Sequence, residues 1–255
     1  MREIAPLVTV FPGEKVDNVE RATRVQVGEQ ALHLTLVMQE DELAPLFSGA
    51  AWAGTIVWDA AVHLARRFLR DYRVKLTDTT NSIRVLELGA GIGVPGMAAR
   101  MAGAKYVVLT EQPELLRLLR VNLAANKHVL RMCHDDEEHV KEHGEIVARA
   151  LSWGVHETEA YLTQYRDEKI DVVLSCDCIY EPLYGSSWRA LAQTMELLCR
   201  ANPTCLVLLS VERRNHDGID KFLAFVEHET TLAWKLEEET TNNRVQVYSL
   251  ALVRV

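Results

Sequence analysis

The spacing of apolar residues divides the chain into an opening period-two stretch, a long middle in which apolar runs alternate with helical-period segments, and a closing period-two stretch. Over residues 22–39 apolar side chains fall on every second position. Val25 and Val27 precede Gly28-Glu29-Gln30, and Leu32, Leu34, Leu36 and Met38 follow it. This pattern predicts a β-hairpin with one apolar face. Residues 1–20 carry no such pattern and read as a loosely attached arm. Residues 50–61 then lead into a helix to about Tyr72, with Ile56, Ala60, His63, Leu64 and Phe68 on one face. His63 there reads as a core-edge histidine.

Apolar runs recur at 84–88, 105–110, 146–151, 170–176 and 204–211. Between them lie helical faces: Leu115, Leu116, Leu119, Leu123 and Ala124; residues 185–200; and, after the last run, Phe222, Phe225 and Val226. Continuous apolar strands that alternate with helices predict a parallel sheet covered on both faces. Residues 231–238 and 244–254 return to period two around Asn242-Asn243, so an antiparallel hairpin closes the sheet. The fold class is α/β. No repeat or low-complexity linker interrupts it. The expected division is an arm and hairpin extension over 1–50 and one main domain over 51–255.

Composition narrows the partners. The 255 residues are 48% hydrophobic and 25% charged, as in an ordinary globular protein able to bury a full core. A net charge of -8 argues against nucleic acid, whose phosphates need clustered Lys and Arg, and is compatible with a basic protein surface. The five cysteines form no CxxC pair or zinc spacing, and Cys176 and Cys178 fall in a buried run. A reducing compartment follows, the cytoplasm or the nucleus. No signal-peptide pattern and no run of about 18–20 apolar residues is seen, so no membrane span is expected. The run from His134 to His143 reads as a charged solvated loop, and no metal site is expected.

The chemistry centres on Arg84-Val85-Leu86-Glu87-Leu88-Gly89-Ala90-Gly91-Ile92-Gly93-Val94-Pro95-Gly96, an apolar run that turns on glycines into a helix. Glycines let backbone approach a ligand, and a helix start offers free N–H groups. Gly91-x-Gly93-x-x-Gly96 matches a dinucleotide fingerprint on spacing, so NAD is one reading. Glu87 favours another. A carboxylate at the strand end suits a cationic amino group and repels a pyrophosphate, unless it serves only to cap the turn. Glu111, ending the next run twenty residues beyond Gly91, is placed to accept ribose hydroxyls, or else to start a helix. Trp153, followed by Gly154, can stack on an adenine. Trp58 is read either as core or as cofactor-facing.

In chain order, Trp58-Asp59-Ala60-Ala61, Val85-Leu86-Glu87-Leu88-Gly89-Ala90-Gly91, Leu151-Ser152-Trp153-Gly154 and Asp177-Cys178-Ile179-Tyr180 resemble the family 16 methyltransferases. These are seven-strand enzymes that methylate lysines of non-histone proteins. The resemblance spans residues 22–255. It implies a Rossmann-like seven-strand methyltransferase sheet with helices on both faces, and S-adenosylmethionine as cofactor. Glu87, Gly89, Ala90 and Gly91 would line its methionine part and Trp58 would lie against it. Glu111 would hold the ribose, Gln112 would sit near the adenine, Trp153 would cover the adenine, and Cys176 would contribute backbone. Asp177 and Tyr180 would face the lysine as catalytic residues, Asp177 mainly positioning the amine.

Two departures stand out: the family usually has Asp where Glu111 stands, and the acidic run at 134–143 has no family counterpart to interpret it by. A protein substrate and a monomer are expected. The alternatives are a methyltransferase of the same fold acting on a small molecule or nucleic acid, a non-catalytic S-adenosylmethionine-binding protein, and an NAD oxidoreductase. Against nucleic acid, Cys178 and Ile179 stand where amino-methylating nucleic-acid enzymes often carry prolines.

Overall fold

Residues 22–36 form the hairpin that the alternation predicts, β4 (Ala22–Val27) and β5 (Gln30–Thr35), with Gly28 at the turn at φ 58°. The described part of the arm before it is not loose. Residues 8–12 form β1 (Val8–Pro12), which pairs antiparallel with β4 from Val8↔Val27 to Pro12↔Thr23. Val8 is fully buried, and its carbonyl accepts the Arg66 guanidinium at 2.6 and 2.9 Å. Five residues of weak alternation become a strand because the free edge of β4 supplies their hydrogen bonds. Two short strands, β2 (Lys15–Val16) and β3 (Val19–Glu20), lie between. This computed structural model describes residues 8–13, 15–16, 19–36, 51–77, 83–130, 144–242 and 244–253. The acidic run at 134–143 lies outside them.

The open edge of β5 is closed by side chains. The carboxamides of Asn122 and Asn126, one helical turn apart, take the place of a strand. Each accepts an N–H of β5 (Thr35 at 2.7 Å, His33 at 2.8 Å) and donates to a carbonyl of the same residue at 3.0 and 2.9 Å.

The first long helix, α1 (Asp59–Thr77), starts later than its apolar face suggests. Residues 51–55 form a 3-10 turn, and Ile56 on that expected face is exposed. The Trp58 carbonyl opens α1 by accepting from Ala61 and Val62. There follow β6 (Arg84–Leu88), α2 (Val94–Met101), β7 (Tyr106–Glu111), α3 (Leu116–Ala125), β8 (Glu145–Ala150), α4 (Val155–Gln164) and β9 (Val172–Cys176). A short helix, α5 (Glu181–Tyr184), ends at Gly185, which has φ 57°, and the helix expected over 185–200 follows as α6 (Trp188–Ala201). The chain closes with β10 (Leu206–Glu212), α7 (Ile219–Glu229), β11 (Leu232–Glu239) and β12 (Val245–Leu252).

Seven strands make one sheet in the order β11-β12-β10-β9-β6-β7-β8. The five apolar runs pair in parallel, and the closing hairpin joins antiparallel through β10–β12. Period-two alternation along the strands sorts their side chains into two cores. Val85, Val107, Leu109, Val172, Leu174 and Leu208 face the layer of α1, α2, α3 and the three-stranded sheet. Leu86, Val108, Val173, Val207 and Leu209 face α4, α6 and α7. Glu87 and Glu111 share the parity of the first set, so both carboxylates are aimed into an apolar layer. Among the described residues, no helix is long and apolar enough to cross a membrane.

Candidate functional site

The chain runs outward from β6 through β7 to β8, then returns to β9 beside β6. Crevices form at the carboxyl ends of strands where strand order reverses in this way. A cavity of about 340 Å³ lies there. Its wall brings together Trp58, Gly89, Ala90, Gly91, Glu111, Gln112, Trp153 and Cys176, residues 118 positions apart at the extremes of the sequence reading, and Asp177 joins them.

The glycine loop is shaped by its neighbours. Gly89 and Gly91 have φ 60° and 54°, and the Ala90 N–H donates to Thr110 on β7 at 3.0 Å. A Cβ on Gly89 would stand 2.6 Å from Cys178 Sγ and 2.9 Å from the Trp153 ring. One on Gly91 would meet the Gly54 carbonyl at 2.7 Å. Any side chain there would close the crevice between the 3-10 turn and β6.

The Glu111 carboxylate accepts the Gly91 N–H at 2.7 Å and the Gln112 N–H at 2.8 Å. Burial nevertheless pushes its pKa up.

Glu87 departs from expectation. It is absent from the cavity wall and lies fully buried beneath the loop, where its Oε2 accepts the Gly96 N–H of α2 at 2.8 Å. The free amides of a helix N-terminus draw the nearest carboxylate, so Glu87 caps α2 rather than lining the crevice. Its second oxygen has no hydrogen-bond partner among the described residues, and burial raises the pKa to about 8. The Glu87 carboxyl group thus takes one of the free amides at the α2 N-terminus from beneath the loop.

A second cavity, about 310 Å³, adjoins the first and shares Trp58, Asp177, Leu183 and Tyr184 with it; Tyr180, Pro182 and Arg214 complete its wall. Tyr180, expected beside Asp177, thus lines only this outer chamber. Asp177 has φ 52°, a left-handed conformation that a non-glycine residue holds only when its surroundings impose it. Here its N–H donates to Ser210 on β10 at 2.8 Å, and Oδ1 accepts the Glu212 N–H at 3.0 Å.

Arg214 is the residue the sequence reading missed. Its guanidinium binds Asp177 through two contacts, 3.1 Å to Oδ1 and 2.6 Å to Oδ2, and also pairs with Glu212. It lies 5.1 Å from the Trp58 ring centre and 5.4 Å from that of Tyr180. No local pattern announces this, because Arg214 stands 37 positions from Asp177 on a loop after another strand. Tyr184, in both walls, is a phenol whose pKa burial raises, so its hydroxyl keeps its proton. Cys178, packed under the loop, has its thiol pushed up to about 12 by burial and is not a nucleophile.

A seven-strand sheet of this order, with a crevice at its reversal point and a carboxylate ending its second strand, defines a methyltransferase-type α/β protein. The solved structure of SMU.776, a methyltransferase by its description and complexed with SAH, has this fold: TM-score 0.52 at 11% identity over 94% of this chain and 57% of its own. The family 16 methyltransferase model, described as lysine methyltransferase, matches residues 38–229, and the chain belongs to that family. The mouse protein N-lysine methyltransferase METTL21A is 29% identical over 70% of this chain and 69% of its own length. A Plasmopara viticola protein named secreted RxLR effector protein 48 is 67% identical over 64% of this chain and 82% of its own.

Proposed function

We propose that this family member binds S-adenosylmethionine in the inner cavity and transfers its methyl group to a lysine ε-amine of a non-histone protein entering through the outer one. The observation that carries this is the pair of adjoining cavities meeting at Asp177 and Trp58. One is built for an adenosine-like ligand. The other is a chamber walled by rings, Pro182 and Leu183, suited to an aliphatic stem with a polar tip.

Three features support the cofactor. The glycine loop is a cradle that any Cβ would fill. Glu111 ends β7 with its oxygens held by backbone N–H groups, each retaining a lone pair for a ribose hydroxyl. The α2 N-terminus is already taken by Glu87, which suits a ligand without phosphate. When bound, S-adenosylmethionine supplies a methyl carbon activated by its sulfonium. The chain's own residues then have three tasks: Trp153, Ile92 and Leu115 exclude water along the inner wall, Trp58 separates the chambers, and Asp177 orients the amine. The departure of Glu111 from the family's usual Asp leaves the carboxylate in place, one methylene longer.

Cytoplasm or nucleus is the proposed site of action; among the described residues Cys176, Cys178, Cys199 and Cys205 are all free and buried. Export is a second reading, favoured by the name of the Plasmopara relative. Two stretches here fit its Arg-x-Leu-Arg spelling, Arg67-Phe68-Leu69-Arg70 and Arg117-Leu118-Leu119-Arg120. Both are helical turns whose leucines are buried, so neither is presented as a free segment in the folded protein.

Tritiated S-adenosylmethionine and a cell extract test the function, with wild type and Asp177→Ala compared and the label separated into protein, nucleic acid and small molecules. Methyl-lysine in a discrete protein band, falling at least about 100-fold in the variant while S-adenosylhomocysteine binding persists, is the expected result. Label in another fraction would transfer the assignment to a different acceptor.

A further inference from the structure

A lysine substrate poses a charge problem that the outer chamber solves with one residue. An isolated carboxylate beside the entering group would attract the ammonium but also stabilise its charged, non-nucleophilic form. Asp177 is not isolated. Its two oxygens are bound by Arg214, which also pairs with Glu212, and Glu212 pairs in turn with Arg244. Two carboxylates and two guanidiniums make this cluster neutral overall.

Arg214 is a wall of the chamber and not a plug in it, since about 310 Å³ remains open beside its guanidinium. The remaining titratable groups on that wall are the phenols Tyr180 and Tyr184. The loop that carries Arg214 is pinned, with the Arg214 N–H donating to Asp217 at 3.0 Å. Asp217 in turn bonds the Ile219 N–H at 2.9 Å and pairs with Arg213, which also binds Asp220.

Resting on the lysine reading above, we propose that Arg214 is a positioning residue for methyl transfer. It holds Asp177 as a hydrogen-bond acceptor while cancelling its charge, so that the entering lysine reaches its neutral form at a lower pH than a lone carboxylate would allow. The ammonium passes one proton to water. The amine lone pair then forms the N–C bond as the methyl carbon's bond to sulfur breaks, its electron pair going to sulfur. Asp177 accepts a hydrogen bond throughout and is never the proton's final holder.

The test is the pH dependence of single-turnover transfer, with tritiated S-adenosylmethionine and the labelled extract protein as acceptor, across about pH 6–10. S-adenosylhomocysteine binding serves as the fold control. Arg214→Gln should move the rising limb upward by roughly 0.5 to 2 pH units, the span for a unit charge about 6 Å away between water-like and protein-surface screening. Arg214→Lys should return it toward wild type. Glu212→Gln, which removes a negative charge from the same cluster, should move the limb downward, and it decides the matter if the Arg214 variants fail to fold. Superimposed limbs for wild type and Gln variant, a Lys variant shifted as far as Gln, or an unmoved Glu212→Gln limb would each overturn the proposal. A wild type that binds S-adenosylhomocysteine but labels no protein lysine removes the functional reading itself, and this proposal with it.

Discussion

Glu87 and Asp177 are each held by partners on the protein itself, and in both cases the partner changes what the carboxyl group can do. Glu87 gives one oxygen to the Gly96 amide and leaves the other, in an apolar layer, without a partner among the described residues. Its folded pKa, about 8, lies above the ordinary value of 4.5 because burial disfavours the charge. The folded state therefore holds a proton that the unfolded chain releases. This contribution to stability is complete below about pH 4.5 and is lost as pH rises through about 8. In the cofactor-free protein, the urea midpoint of wild type should fall between about pH 5 and pH 8, and Glu87→Gln should flatten that fall. Glu111, also raised by burial, leaves a residual slope of the same sign. An equal slope in the Gln variant would contradict the assignment. The position of Glu87 two residues before Gly89 was readable from the chain. Its direction was not, because the Gly96 amide faces it only once α2 has formed.

Between elements, the junction of the three-stranded sheet with α3 depends on two carboxamides. Asn122 and Asn126 are fully buried, and they complete the backbone pairing of β5 from residues 87 and 93 positions away. Removing either leaves an N–H and a carbonyl without partners inside a packed interface. Asn122→Ala and Asn126→Ala should each cost about 1–3 kcal/mol by chemical denaturation. Hydrogen exchange should show the Thr35 and His33 amides, respectively, losing protection; unchanged protection would mean that water or a neighbour replaces the carboxamide. The period-two alternation of residues 22–36 announced the hairpin and its apolar face. It carried no information on what covers the β5 edge, since a helical Asn has the same spelling whether it meets solvent or a strand.

Across the whole molecule, one sheet separates two cores, with Phe68 buried in one and Phe222 in the other. Every central strand contributes to both through alternate residues, so neither core can dissolve without exposing the other face of the same strands. The β1, β4 and β5 side chains Val8, Val25 and Leu32 belong to the Phe68 core. Phe68→Ala and Phe222→Ala should therefore each lower stability by about 3–5 kcal/mol while leaving a single cooperative transition. Separate transitions detected by Trp fluorescence and far-UV dichroism would show instead that the layers unfold independently.

The chain alone determined the alternation of strands and helices, the antiparallel closure, the glycine loop, and the residues Glu111, Trp153 and Asp177 at the ends of successive runs. Those features are local. Period, turn chemistry and strand-end position are written in neighbouring residues. Tertiary structure decided which way Glu87 faces, that residues 8–12 form a strand on β4, that the edge of β5 is closed by asparagines, and that Asp177 pairs with Arg214. Each of these depends on hydrogen bonds or charge pairs between elements far apart in the chain, and their geometry exists only after the sheet has assembled.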